Sequence, residues 1–215
     1  MLVILITIPI SGWGQALFDI ESIRYEPSRF FPILSDTEIV GAPDSPIPRE
    51  TIQKITDRCN SRMPARFSPD ALNSYCACAS ASTLGTLTVG ELRDLQKETN
   101  RKLGNPVFEK YVENVMKPCM EIPIEDIEYL FCITSRKNDW RIKYPIPFCR
   151  CVSTGIRDHF KETGLEDMMI AWGKVKKENG SDPTESIWDN DTFLRARGIK
   201  KEECVGSYMD PQNFK

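Results

Sequence analysis

The residues best placed to do chemistry in this chain of 215 are its eight cysteines. They fall into two sets, Cys59, Cys76, Cys78 and Cys119, then Cys132, Cys149, Cys151 and Cys204. Each set reads Cys-x16-Cys-x-Cys, then a long gap and a fourth cysteine. A Cys-x-Cys pair used as a redox centre needs an exposed thiolate whose pKa is lowered by a cation or a helix N-terminus. Tyr75-Cys-Ala-Cys-Ala79 offers no local cation, whereas Arg150 stands between Cys149 and Cys151. Structural zinc favours Cys-x2-4-Cys spacing, which is absent here. Cross-linking needs only an oxidising compartment and partners within reach. An even count in two matched sets favours disulfides at all eight positions.

Other side chains form weaker constellations. His159 is the only histidine, with Ser153 and Asp158 near it in sequence. No nucleophile-elbow pattern accompanies them, and the plainer expectation is a partly buried or surface histidine on a helix. Glu121, Glu125, Asp126 and Glu128 form an acidic cluster, expected at and just before a helix start, where carboxylates complement the dipole. Asp189-Asn190-Asp191 resembles the opening of a calcium loop but lacks its glycine and closing glutamate; a helix cap at Asp191 accounts for it better. Trp140, Trp172 and Trp188 all fall in the second half and suit a core more than a ligand platform. No catalytic, cofactor-binding or metal-ligating set emerges, and no cofactor is expected. The net charge of −3, with Lys and Arg scattered, leaves no basic stripe for a nucleic acid. The densest basic run, Lys174-Val175-Lys176-Lys177, fits a helix C-terminus.

The elements that must position the cysteines read as helices. Residues two apart on a helix point about 200° away from each other. Neither Cys-x-Cys pair can easily close on itself, so each is expected to staple its helix to two neighbours. Cys59 and Cys119 serve the first pair, Cys132 and Cys204 the second. Which member bonds to which neighbour stays open, since four cysteines allow three connectivities.

Ile52, Ile55, Cys59 and Met63 mark a first helix over 50–63. Ser68-Pro69 starts a second, and Thr88-Val-Gly-Glu91 fits a capping box. Asn105-Pro106 opens a fourth helix with Phe108, Tyr111, Val112, Val115, Met116 and Cys119 on one face, ending near Pro118. The order then recurs. Ile127, Leu130, Phe131 and Thr134 mark a helix carrying Cys132. Another is expected from about Pro147, and a second capping box reads Thr163-Gly-Leu-Glu166. A last helix runs from about Thr192. No alternating strand pattern follows residue 50.

The expected architecture is all-α, with two tandem units of about four helices each. Unit 1 covers 50–120 and unit 2 covers 121–215, the latter a duplicate of the former with an insertion near 181–191. Residues 17–49, broken by Pro27, Pro32, Pro43, Pro46 and Pro48, read as an extended arm. Leu2 to Ile10 is a short apolar run followed by small residues. Residues 1–16 therefore read as a signal peptide cleaved near 14–16, although no Lys or Arg precedes the run. The run is too short to span a bilayer, and no membrane span is expected in the mature chain.

The Cys-x16-Cys-x-Cys skeleton, with an aromatic before each pair (Tyr75, Phe148), resembles that of assorted small exported bacterial proteins, and brings no functional residues with it. The expected function is a non-catalytic binding or structural module in the periplasm or outside the cell. Its partner would be a protein or envelope component met in the groove between the units; an inhibitor or immunity-like role is an analogy only. The alternatives are an extracytoplasmic enzyme using His159 with carboxylates, or thiol–disulfide chemistry at a Cys-x-Cys.

Overall fold

Local chemistry starts the helices where the sequence asks for them. The computed structural model describes residues 34–61, 66–136, 142, 144–175, 187–188 and 190–208. Residues 1–16, expected to be a signal peptide, residues 17–33 of the expected arm, Trp140, Asp189 and most of the expected 181–191 insertion lie outside the described residues. The elements are α1 (Arg49–Asn60), α2 (Pro69–Thr86), α3 (Val89–Gln96), α4 (Pro106–Tyr111), a π-helical turn (Val112–Met116), α5 (Lys117–Arg136), α6 (Pro145–Val175) and α7 (Asp191–Tyr208). Since α4, the π turn and α5 run on without a break, six helical rods result among the described residues.

The caps show why the boundaries fall there. The Ser68 hydroxyl accepts from Ala71 N–H, and Pro69 follows in the first turn. At α3, Thr88 accepts from Glu91 N–H while the Glu91 carboxylate accepts from Thr88 N–H, a complete capping box. The two earliest N–H groups of α3 are satisfied from outside the helix: Val89 donates to Ser45 O and Gly90 to Pro43 O. Gly41, at φ +127°, takes the turn that brings this segment over α3. Leu34, Ile39 and Ile47 of the same segment are buried, and Arg58 of α1 pairs with Glu38 at 2.9 Å. Residues 34–48 thus close the N-terminal end of α3 and cover α1.

Four disulfides join the helices: Cys59–Cys76, Cys78–Cys119, Cys132–Cys149 and Cys151–Cys204. Their Cα separations lie between 5.4 and 6.0 Å, in the range a disulfide needs. In each set the first member of the Cys-x-Cys bonds back to the preceding helix and the second bonds forward. α2 packs on α1 and on the α4–α5 rod; α6 packs on α5 and α7. One buried cluster runs through all of them, from Leu34 to Cys204.

Several boundaries depart from the sequence reading. The fourth helix does not end near Pro118; it continues through Pro118 and Pro123 to Arg136. A proline clashes with the carbonyl four residues back, which for Pro118 is that of Asn114. That residue lies in the π turn, where Lys117 N–H bonds back to Val112 O, and the wider turn accommodates the ring. The acidic cluster therefore stands inside a helix, not at its start. α6 begins at Pro145, because prolines in a first turn lose only N–H groups that have no helical partner. It continues through Thr163, so the second capping box does not cap. The Thr163 hydroxyl instead donates to His159 O one turn back, and the separate helix expected there is merged into α6. At α7 the cap is Asn190, whose side-chain carbonyl accepts from Thr192 N–H, not Asp191.

Candidate functional site

The stripe along the α4–α5 rod buries Phe108, Tyr111, Val112, Val115, Met116, Cys119, Met120, Ile124 and Ile127. At the next inward position stands Glu128, only 1% exposed. Beyond it, Leu130 and Phe131 are 40% and 48% exposed. The sequence reading put both on the same face as Ile127; the structure turns them outward and a carboxylate inward. Burying a charge is costly unless it is paired. Arg197 of α7 supplies the partner, its guanidinium donating to Glu128.

These residues form one wall of a groove of about 360 Å³, within the size range of small-ligand sites. α5 contributes Ile127, Glu128, Leu130, Phe131 and Thr134; Trp188 and Arg197 come from the last part of the chain, and Arg66 from the α1–α2 connection. The groove lies where the first Cys set's helices meet the last helix of the second. Its rim is cationic and aromatic. Arg66 stands 5.7 Å from the Trp188 ring centre. Arg197 lies 5.1 Å and Lys201 5.7 Å from that of Phe131, all within cation–π reach. Trp188 is itself buried and edge-on to Phe193, their centres 6.2 Å apart. Two buried N–H groups here, Trp188 Nε1 and Arg197 Nε, have no acceptor among the described residues.

A second, more polar pocket of about 280 Å³ is lined by Ile122, Glu125, Asp126, Tyr129, Arg150 and Ser153. Its carboxylates are engaged in joining helices. Glu125 accepts from Thr154 at 2.9 Å and from Arg157 at 2.7 Å, both on α6. Asp126 accepts from Ser68 at 2.6 Å, tying α5 to the cap of α2. Of the acidic cluster, then, Glu125 and Asp126 share this pocket, while Glu128 faces the groove.

The residues weighed for catalysis are not brought together. Ser153 is buried and donates to Arg150 O, and Asp158 pairs with Arg157. His159 meets Thr163 instead, Nε2 lying 3.1 Å from the hydroxyl, and Thr163 also contacts Asp167 at 3.2 Å. Burial pushes the Asp167 carboxyl above its ordinary range, against the opposing pull of Thr163 and His159. All eight cysteines are consumed in the four disulfides, so thiolate chemistry would have to begin by opening one of them. Among the described residues no group of three or more His, Cys, Asp or Glu is placed to hold a metal ion. No helix among them is long and apolar enough to cross a membrane.

Of the groove residues, sequence reasoning singled out Ile127, Leu130, Phe131 and Thr134, as markers of a helix, Trp188, as core, and Glu128, as dipole-facing. It missed Arg66, Arg197 and Lys201. The signal available was on α5, where a carboxylate occupies a position that the stripe's period assigns to the core. Compared with known proteins, the chain matches no family model, no curated protein and no solved structure.

Proposed function

We propose that this chain is an exported, disulfide-stapled helical binding module with no catalytic step of its own. The groove between α5, Trp188, α7 and the α1–α2 connection is its binding face. The observation that carries this reading is the inverted burial on α5. Local patterning and tertiary structure usually agree, and where they part the cause is often functional. Here a paired charge is held inside while Leu130 and Phe131 are exposed, Phe131 beside Arg197 and Lys201. Aromatic and arginine side chains are the residue types that dominate binding faces. Complete pairing of the cysteines supports export to an oxidising compartment.

The same back-and-forward disulfide connectivity in both sets supports descent of the two halves from one unit, each a Cys-x-Cys helix held between two neighbours. The α4–α5 rod would close the first unit and open the second. An inhibitor or immunity role toward an envelope-active protein is the form this takes by analogy.

The test is a photo-crosslinking residue at Phe131 in cells exporting the protein, with the similarly exposed Leu103 as control. A discrete adduct at Phe131 alone, lost when Arg66 is also changed to Gln, supports the reading. Equal labelling at both positions, or none at either, contradicts it.

A further inference from the structure

We propose that the polar pocket between α5 and α6 binds a free α-amino acid with an apolar side chain, its ammonium on Asp126 and its carboxylate on Arg150. This pocket shares no lining residue with the groove, and the inference does not depend on the groove being a binding face. Helical spacing sets Ile122, Glu125, Asp126 and Tyr129 on one side of α5, and α6 contributes Arg150 and Ser153, one turn apart. Charge is the first argument. Glu125 is already answered, by Thr154 and by Arg157 at 2.7 Å. Asp126 and Arg150 line the same pocket without forming an ion pair with each other. Arg150 is exposed, and its guanidinium makes no hydrogen bond among the described residues. Asp126 gives one oxygen, Oδ2, to the Ser68 hydroxyl, while Oδ1 accepts nothing among them. An anion and a cation held around one cavity, too far apart to bond, complement a ligand that carries both charges close together. A guanidinium fork matches a carboxylate in particular.

The second argument is the neutral polar groups. The Tyr129 hydroxyl has no partner among the described residues, and a phenol can donate to a carboxylate. Ser153 is buried and donates to Arg150 O at 3.1 Å, which leaves its oxygen free to accept from an ammonium. Size and surface are the third. Ile122, 42% exposed, and the Tyr129 ring give the pocket an apolar side that an inorganic ion would leave uncovered. About 280 Å³ lies just under the range of drug-sized ligand sites. It suits a single amino acid better than a nucleotide or an oligopeptide.

The experiment is calorimetric titration of the oxidised protein at neutral pH with four probes. These are L-phenylalanine, phenylpropionate, which lacks the ammonium, phenylethylamine, which lacks the carboxylate, and glycine, which lacks the side chain. L-phenylalanine is expected to bind saturably, and each of the others about tenfold more weakly, the worth of one charge-assisted contact or of a buried apolar side chain. Arg150→Gln is expected to erase the preference for phenylalanine over phenylethylamine, and Asp126→Asn the preference over phenylpropionate. Asp126→Asn keeps an oxygen for the Ser68 hydroxyl, and Arg150 bonds no other side chain among the described residues, so thermal melts of both variants should match the wild type. Should Asp126→Asn lower the melt, Arg150→Gln alone decides the matter. No saturable binding of phenylalanine, equal binding of the four probes, or a preference for phenylalanine over phenylethylamine that survives Arg150→Gln would overturn the proposal.

Discussion

Glu128 and Arg197 are the residues on which the groove depends. Their side chains are 1% and 14% exposed, so removing one leaves the other's charge buried. Arg197→Met is expected to cost about 3 kcal/mol or more in urea denaturation, because breaking a buried pair strands a charge. Glu128→Leu with Arg197→Met should be milder than the single change, since an apolar pair of similar volume often replaces an ion pair without loss. Asp167 makes a different prediction. Burial holds its carboxyl above the ordinary 3.8. Between 3.8 and the raised value the folded protein keeps a proton that the unfolded chain has released, so stability falls as pH rises through that window. Asp167→Asn retains an acceptor for the Thr163 hydroxyl and removes the titration. Its denaturation midpoint should gain on wild type between acid pH, below 3.8, and neutrality. An equal offset at both pH values would refute the assignment.

At the scale of elements, two identically spaced capping boxes behave differently. Glu91 accepts from Thr88 N–H and pairs with Lys110 at 2.9 Å, whereas Glu166 lies exposed in the interior of α6. Glu91→Ala should therefore destabilise by about 1 kcal/mol, the usual worth of a lost cap, and Glu166→Ala by less than about 0.5 kcal/mol. Comparable losses would mean that α6 breaks at Thr163 in solution. The starts of α2, α3 and the rod beginning at Pro106 were legible because each is fixed by neighbouring residues: Ser68, Thr88 and Asn105 all cap as their chemistry suggests. Helix ends were not. Whether Pro118 stops a helix depends on the π turn before it, and whether Thr163 caps depends on the packing of α6. Both are settled by tertiary contacts that no local pattern records. The groove stayed hidden for the same reason, since Arg66 and Arg197 are 131 positions apart and meet only through the fold.

For the whole molecule, the cysteines were its most legible feature and the disulfides its main cross-braces. In the chain-entropy account, closing the short loops of Cys59–Cys76 and Cys132–Cys149, each 17 residues apart, stabilises by about 3 kcal/mol apiece. The longer loops of Cys78–Cys119 and Cys151–Cys204, 41 and 53 residues, are worth about 4 kcal/mol. Replacing both cysteines of one long-loop bridge by Ala should thus lower Tm more than replacing those of a short-loop bridge. A shift of roughly 10 °C is expected for a chain of this size. The Cys151–Cys204 bridge joins α6 to α7, which carries Arg197 and Lys201, so its loss should also loosen the groove. Alternation of the pairing within each Cys-x-Cys ties three helices together through two cysteines one residue apart. The measurement that tests this most directly is intact mass of the native protein with alkylation before and after reduction, followed by fragmentation between the two cysteines of each Cys-x-Cys. The account predicts no alkylation before reduction, eight additions after it, and back-then-forward connectivity in both sets. Reactive thiols in the native protein, or crossed pairing in either set, would contradict it.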